Sequence, residues 1–298
     1  MPTLLLPVSL PAFLVDPLRA AHHITEAASP DVRGLVVSGG FTVHELLLTS
    51  LPNLEIISVF GVGYDGVPIS LCLQRGIHVT NTPDVLTEDV ADIATALVLM
   101  TSRRLGEAER YARAGSWVKG AFPLAHALRG KTAGILGLGR IGKAIAQRLL
   151  AHGMKVAYHG RQPQAVEYRY CNTLIELAEA SDFLIIACPG GSGTKHLINA
   201  DVLRALGSAG TLINIARGSV VDEAALVQAL QAGIIRGAGL DVFENEPHIP
   251  AELCACENVI LLPHVGSATH ETRHGMAQLV VENIYAHFAG EPLLTAVC

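Results

Sequence analysis

Charge is scarce in this chain, and a surplus of positive charge is absent. Asp, Glu, Lys and Arg make up 16% of 298 residues and the formal net charge is −6, with Arg103-Arg104 the one adjacent basic pair. A nucleic-acid binder carries a clustered basic footprint, so DNA and RNA are excluded as expected partners. No apolar run reaches spanning length without a Gly, a Pro or a charge, which argues against a membrane helix. Three prolines interrupt the first eleven residues and no charged segment precedes them, so this stretch reads as a first strand rather than a signal peptide. The six cysteines (72, 171, 188, 254, 256, 298) form no regular framework, and Cys254-Ala-Cys256 stands too isolated for a zinc knuckle. Reduced thiols and a cytoplasmic location are therefore expected. Aromatic residues are few (5%, one Trp), and there is no internal repeat.

Glycine and apolar residues are plentiful, with 29 Gly and 50% hydrophobic residues, enough for two cores. The most informative stretch is Thr132 to Gly142, Thr-Ala-Gly-Ile-Leu-Gly-Leu-Gly-Arg-Ile-Gly. An apolar strand over 133–136 runs into Gly137, Gly139 and Gly142, and a helix follows with Ile141, Ile145 and Leu149 four apart. Strand, G-x-G-x-x-G and helix in that order make the dinucleotide-binding turn. Gly137 permits the turn, Gly139 lets backbone approach a pyrophosphate, and Gly142 brings helix and strand together. Free N–H groups of the helix then face the anion.

One absence downstream refines this reading. A carboxylate about 20 residues past the glycines would hold the ribose 2′-OH of NAD. Here no Asp or Glu occurs before Glu167, and Arg161 stands 19 residues after Gly142, behind a strand at 155–159. A guanidinium attracts the extra phosphate of NADP that a carboxylate would repel. A merely solvated loop Arg would look the same in sequence, but the reading favours NADP(H), with NAD(H) the less preferred cofactor.

Short strands at 3–8, 23–26, 35–38, 54–60 and 77–80, with poor helices between, predict a small α/β domain. Gly61 and Gly63 follow the fourth; they form either a carboxylate cradle or a plain turn. Thr87-Glu88-Asp89 starts a helix running to about Arg103, long and apolar enough to connect two domains. Strands near 133–136, 155–159, 183–187, 211–215, 238–242 and 259–262 then alternate with helices near 140–151, 172–180, 199–207 and 222–232. That is a doubly wound parallel sheet. A last helix over 269–289 returns the chain to the first domain. The expected division is 1–98 with 269–298 around a cofactor domain at 99–268.

Ligands of such sheets bind outside the carboxyl ends of the strands. Three strands end there in Arg217, in Glu246 and in His264. A cation can hold a carboxylate and polarise an adjacent carbonyl. A His moves the alcohol proton near neutral pH, and a neighbouring carboxylate orients its ring and favours the imidazolium.

With these residues in place, a resemblance stands out. Gly-Leu-Gly-Arg-Ile-Gly, Asn-Ile-Ala-Arg-Gly, Gly-Leu-Asp-Val-Phe-Glu-Asn-Glu-Pro and Leu-Pro-His-Val-Gly-Ser, in this order and spacing, resemble the D-2-hydroxyacid dehydrogenase family. So do the segments 59–65 and 81–92, and the likeness runs from about residue 35 to the end. Its flavour is that of glyoxylate/hydroxypyruvate and plant hydroxyphenylpyruvate reductases. Gly160-Arg161-Gln162-Pro163 is similar to the NADPH-phosphate loop of that branch.

The resemblance implies a Rossmann cofactor domain, a smaller flavodoxin-like substrate domain made from both chain ends, and a homodimer. It implies reduction of a small 2-oxo acid (glyoxylate, hydroxypyruvate or an aryl pyruvate) to the D-2-hydroxy acid. Arg217 would bind that acid, His264 would be the acid/base paired with Glu246, and the Val62 and Gly63 amides would meet the substrate carboxylate. Arg140 and Ile141 would sit at the pyrophosphate, Arg161 and Gln162 at the 2′-phosphate, and Asp241 at the nicotinamide carboxamide. Cys188, Pro189 and Ile215 would line the cofactor cleft, with Gly266 beside it. Two departures from the family pattern are a short segment before Val32, which implies a clipped first helix, and Gly190-Gly191-Ser192-Gly193 where Leu-Thr-Pro is usual, which implies a looser loop.

Two rival readings exist. His270-Glu271-Thr272-Arg273-His274 matches H-E-x-x-H, but no third ligand follows at a known spacing, so no metal is expected. A non-enzymatic NAD(H)-sensing regulator on the same fold would have no need of Arg217, Glu246 and His264 together. Trp117 suits a subunit contact, the substrate mouth or plain core packing.

Overall fold

The computed structural model describes residues 1–298 and divides into two compact units, Met1–Leu86 with Ser267–Cys298, and Thr87–Gly266. The boundaries fall at Thr87 and Ser267, where the sequence reading set them at 99 and 269.

The first unit is built on five parallel strands, β1 (Thr3–Leu5), β2 (His23–Thr25), β3 (Val32–Ser38), β4 (Ile56–Phe60) and β5 (His78–Thr80). Their order, β2-β1-β3-β4-β5, is flavodoxin-like. β4 is buried along its whole length, and Val37, Val59, Leu48, Leu51 and Val79 pack one core. The helix Ala12–Ala21 forms in full despite Pro17, because Leu14 and Leu18 bury one side of it. The last helix, His270–Ala289, packs on that helix and on β4. Thr269 caps it by accepting the Thr272 N–H, and Gly290 ends it in the left-handed region.

The second unit carries seven parallel strands: β6 (Thr132–Leu136), β7 (Lys155–His159), β8 (Arg169–Tyr170), β9 (Phe183–Ile186), β10 (Thr211–Asn214), β11 (Gly237–Leu240) and β12 (Val259–Leu261). The order β12-β11-β10-β9-β6-β7-β8 is the doubly wound one, and the winding reverses between β6 and β9. β8 is too short and polar to have shown in the sequence pattern.

The helix Thr87–Arg103 belongs whole to this unit. It packs on the helix Arg140–Ala151 and on β10 and β11. Arg148 fastens the two helices through Asp92 at 2.6 Å and Glu88 at 2.9 Å. Its apolar stripe is thus core of the cofactor unit.

Candidate active site

The glycine turn obeys sterics on two sides and leaves the third open. Gly137 has φ +96°, and a Cβ there would sit 2.7 Å from the Cys188 amide nitrogen. A Cβ on Gly142 would lie 2.2 Å from the Gly137 carbonyl oxygen, so only glycine lets the helix Arg140–Ala151 approach β6 this closely. At Gly139 a Cβ would meet nothing within 4 Å. The space that a side chain would fill lies open above a helix N-terminus that no side chain caps. Open space beside Gly139 at a helix N-terminus with no side-chain cap from Gly139 is what a pyrophosphate needs, so the residues present fit a dinucleotide.

Arg161 and Gln162 follow β7 and are exposed, while Cys188 and Pro189 follow β9. Burial pushes the Cys188 thiol up to about 11, so it is a packing group rather than a nucleophile. The loop behind it closes on itself, Thr194 donating to the carbonyls of Pro189 and Gly191.

Three further strand ends converge. After β10, Asn214 braces the turn that carries Ile215 and Arg217: its amide donates to the Arg217 carbonyl at 2.9 Å and its oxygen accepts the Ala216 N–H at 3.1 Å. Arg217 itself donates to the Ala216 carbonyl. Gly218 then passes so close to the segment after β11 that a Cβ there would lie 1.8 Å from the Phe243 carbonyl carbon. That approach brings Arg217 beside Glu246.

Glu246 accepts the Phe243 N–H with one oxygen at 3.0 Å and meets His264 Nδ1 with the other at 2.7 Å. Burial pushes the Glu246 carboxyl up. The hydrogen bond and charge of His264 outweigh this, with the Phe243 N–H and the Arg217 guanidinium, and hold it below the usual carboxylate range. Glu246 thus takes up Nδ1, and Nε2 is the other ring nitrogen of His264. His264 has φ +53°, an uncommon conformation for a residue with a side chain.

Asp241 explains how that conformation persists. Buried to 1% exposure, it accepts the N–H groups of Val265 at 2.7 Å and Gly266 at 2.8 Å, clamping the loop just past His264. Burial pushes this carboxyl up, while the two N–H groups and His264 act against it and Glu246 adds to it. The family resemblance sets Asp241 at the nicotinamide carboxamide; in addition, each of its oxygens accepts one backbone N–H.

Asn214 and Gly218 are parts of this site that the sequence reading does not assign. A polar residue ending an apolar strand and a glycine directly after a candidate Arg were the available signals. Val62 and Gly63 lie in the first unit, after β4, where the Val62 carbonyl accepts the Asn81 amide at 2.8 Å. His274 stacks on Phe13 and its Nδ1 meets the His270 carbonyl; no group of three or more His, Cys, Asp or Glu stands in metal-holding geometry. Trp117 is 74% exposed, which rules out core packing for it.

Residues 95–266 match the family model of the D-isomer specific 2-hydroxyacid dehydrogenase NAD binding domain. The chain is 50% identical over 275 residues to glyoxylate/hydroxypyruvate reductase A HPR2 of Arabidopsis thaliana, covering 92% of this chain and 88% of that one. It is 50% identical over 267 residues to hydroxyphenylpyruvate reductase of Plectranthus scutellarioides, covering 89% and 85%. Among solved structures it is similar, at TM-score 0.95 and 50% identity, to the NADPH-dependent glyoxylate/hydroxypyruvate reductase SmGhrB of Sinorhizobium meliloti in complex with NADP and malonate. That match covers 100% of this chain and 97% of the other.

Proposed function

The chain belongs to the D-isomer-specific 2-hydroxyacid dehydrogenase family, and on that premise we propose how its own residues carry out the reaction. The protein is an oxidoreductase that reduces a small 2-oxo acid with NADPH. When bound, the reduced nicotinamide supplies a hydride to the carbonyl carbon. Arg217 holds the acid and draws electron density toward the carbonyl oxygen. His264, protonated, gives the alcohol its proton from Nε2, and Glu246 orients the ring and stabilises its charge. The turn at Gly137, Gly139, Arg140, Ile141 and Gly142 binds the pyrophosphate, and Arg161 with Gln162 binds the 2′-phosphate. The observation that carries this reading is the 2.7 Å His264–Glu246 pair, with Arg217 beside it, at the same sheet edge as the glycine turn.

In the first unit the amides of Val62 and Gly63 are our candidates for a carboxylate. We assign the enzyme to a homodimer formed through the cofactor unit, a reading supported by Trp117, Val118 and Leu124, which are 74%, 91% and 97% exposed within eight residues of chain. Six unpaired thiols suit a reducing compartment, and we place the enzyme in the cytoplasm.

The test is initial rates of NADPH and NADH oxidation with glyoxylate, hydroxypyruvate and 4-hydroxyphenylpyruvate. Turnover favouring NADPH is expected, and the ranking of the three acids identifies the substrate class. Turnover favouring NADH would discard the role given to Arg161.

A further inference from the structure

The loop that carries Arg161 belongs to no helix or strand, and Gly160 to Gln164 are half-buried or exposed. A flexible loop would lose conformational entropy each time it closed on a phosphate. Four hydrogen bonds remove that freedom in advance. At one end, Tyr170 of β8 donates its hydroxyl to the Gly160 carbonyl at 3.1 Å. At the other, the hydroxyl of Tyr158 accepts the Gln164 N–H at 2.7 Å and points its hydrogen toward the Gln164 carbonyl, 3.4 Å away. Gln164 then reaches sideways, its side-chain amide donating to the carbonyl of Leu138 at 2.8 Å. Leu138 stands between Gly137 and Gly139 in the glycine turn.

Tyr158 is the unusual member of this set. It is 1% exposed in the middle of β7, where a phenylalanine would pack equally well and carry no polar atom needing a partner. Its hydroxyl finds its partners in the one loop that bears Arg161. Arg161 meanwhile is exposed, and no carboxylate lies between Gly142 and Glu167 in sequence to pair with it.

We propose that Tyr158, Gln164 and Tyr170 are positioning residues for cofactor selectivity: they lock the 160–164 loop to the sheet and to the pyrophosphate turn, so that Arg161 meets the 2′-phosphate already in place. This rests on the assignment of Arg161 to that phosphate. The frame acts chiefly on the phosphate-bearing cofactor, because the glycine turn keeps a support of its own in the Gly137 N–H bond to the His159 carbonyl.

The test is the dissociation constant of NADPH and of NADH, titrated by fluorescence on the purified full-length protein without substrate. Wild type is compared with Tyr158→Phe, Gln164→Ala and Arg161→Ala. Tyr158→Phe is expected to weaken NADPH about tenfold while NADH changes by less than about twofold, since a lost preorganising bond acts only on the ligand the loop contacts. Gln164→Ala is expected to act in the same direction, and serves if Tyr158→Phe folds poorly. Equal weakening of both cofactors would overturn the proposal, because the frame would then support the fold in general. Weakened NADPH in Arg161→Ala but not in Tyr158→Phe or Gln164→Ala would overturn it while sparing the Arg161 assignment. Unchanged NADPH in Arg161→Ala would remove that assignment and the proposal with it.

Discussion

Replacing Gly218 by Ala adds one methyl group, and the structure fixes what it must meet. The new Cβ would lie 1.8 Å from the Phe243 carbonyl carbon, 2.0 Å from its oxygen and 2.2 Å from the Glu244 nitrogen. Ordinary contact begins near 3.4 Å, so one of two backbone segments must retreat by about 1.6 Å. Neither can rotate away, as a side chain would. Overpacking of this kind costs about 3 kcal/mol, the upper end of the usual range, because the obstacle is main chain. For a unit the size of Thr87–Gly266 that lowers Tm by roughly 6–12 °C.

The retreat also separates Arg217 from the segment that carries Glu246. A misplacement of about 1 Å in catalytic geometry costs on the order of 10²-fold in rate, so kcat/KM is expected to fall at least that far. NADPH affinity should hold, since the glycine turn lies at another strand. Gly139→Ala is the counterpart: its Cβ meets no protein atom within 4 Å but fills the space left for a pyrophosphate. It is expected to keep Tm and lose NADPH binding by about tenfold or more. Differential scanning fluorimetry, cofactor titration and steady-state rates on both variants make the comparison. A Gly218→Ala enzyme with wild-type Tm and kcat/KM would refute the reasoning, as would a Gly139→Ala enzyme that binds NADPH normally.

His264→Gln is expected to lower turnover by about 10²-fold or more while leaving the NADPH dissociation constant within about twofold; near-normal rates would remove His264 from the mechanism. Val118→Asp should convert a two-chain species into single chains by sedimentation velocity, and a wild type that already sediments as one chain would refute the homodimer. At pH 8, iodoacetamide should label exposed Cys254 well before Cys188, whose thiol burial keeps protonated; mass spectrometry of the digest reads the order. His22 is buried between Tyr285 and Phe288 with neither ring nitrogen hydrogen-bonded to the chain, and burial, helped by the N-terminal charge, lowers its pKa below 6.5. The unfolded chain therefore takes up a proton that the folded one refuses, so stability is full above about pH 6.5 and declines as pH falls below it. His22→Phe should flatten that decline in Tm between pH 7.5 and 5.5, and an identical slope would exclude His22 as its source.

Local order in the chain was enough to fix the cofactor turn, the alternation of strands and helices, and the three strand ends that carry Arg217, Glu246 and His264. Each of these depends on neighbours in sequence: a turn needs its glycines, a parallel strand its apolar run, and a helix start its cap. Other features have causes that lie across the fold, beyond the reach of local order. Thr87–Arg103 starts where the first unit ends, as a connecting helix does, but only the fold shows that its apolar stripe is buried against β10, β11 and a neighbouring helix. The helix Ala12–Ala21 runs through Pro17, held by the burial of Leu14 and Leu18.

Asp241 shows the limit most clearly. The family resemblance sets it at the nicotinamide, and nothing local in the chain shows that its buried oxygens also accept the Val265 and Gly266 N–H groups, 24 and 25 residues on. Gly218 and Gln164 belong to the same class, since only the approach of segments remote in the chain sets Gly218 against Phe243 and Gln164 against Leu138. Sequence determined which groups are present at the sheet edge; the distances at which they can act together were decided by packing between segments remote in the chain.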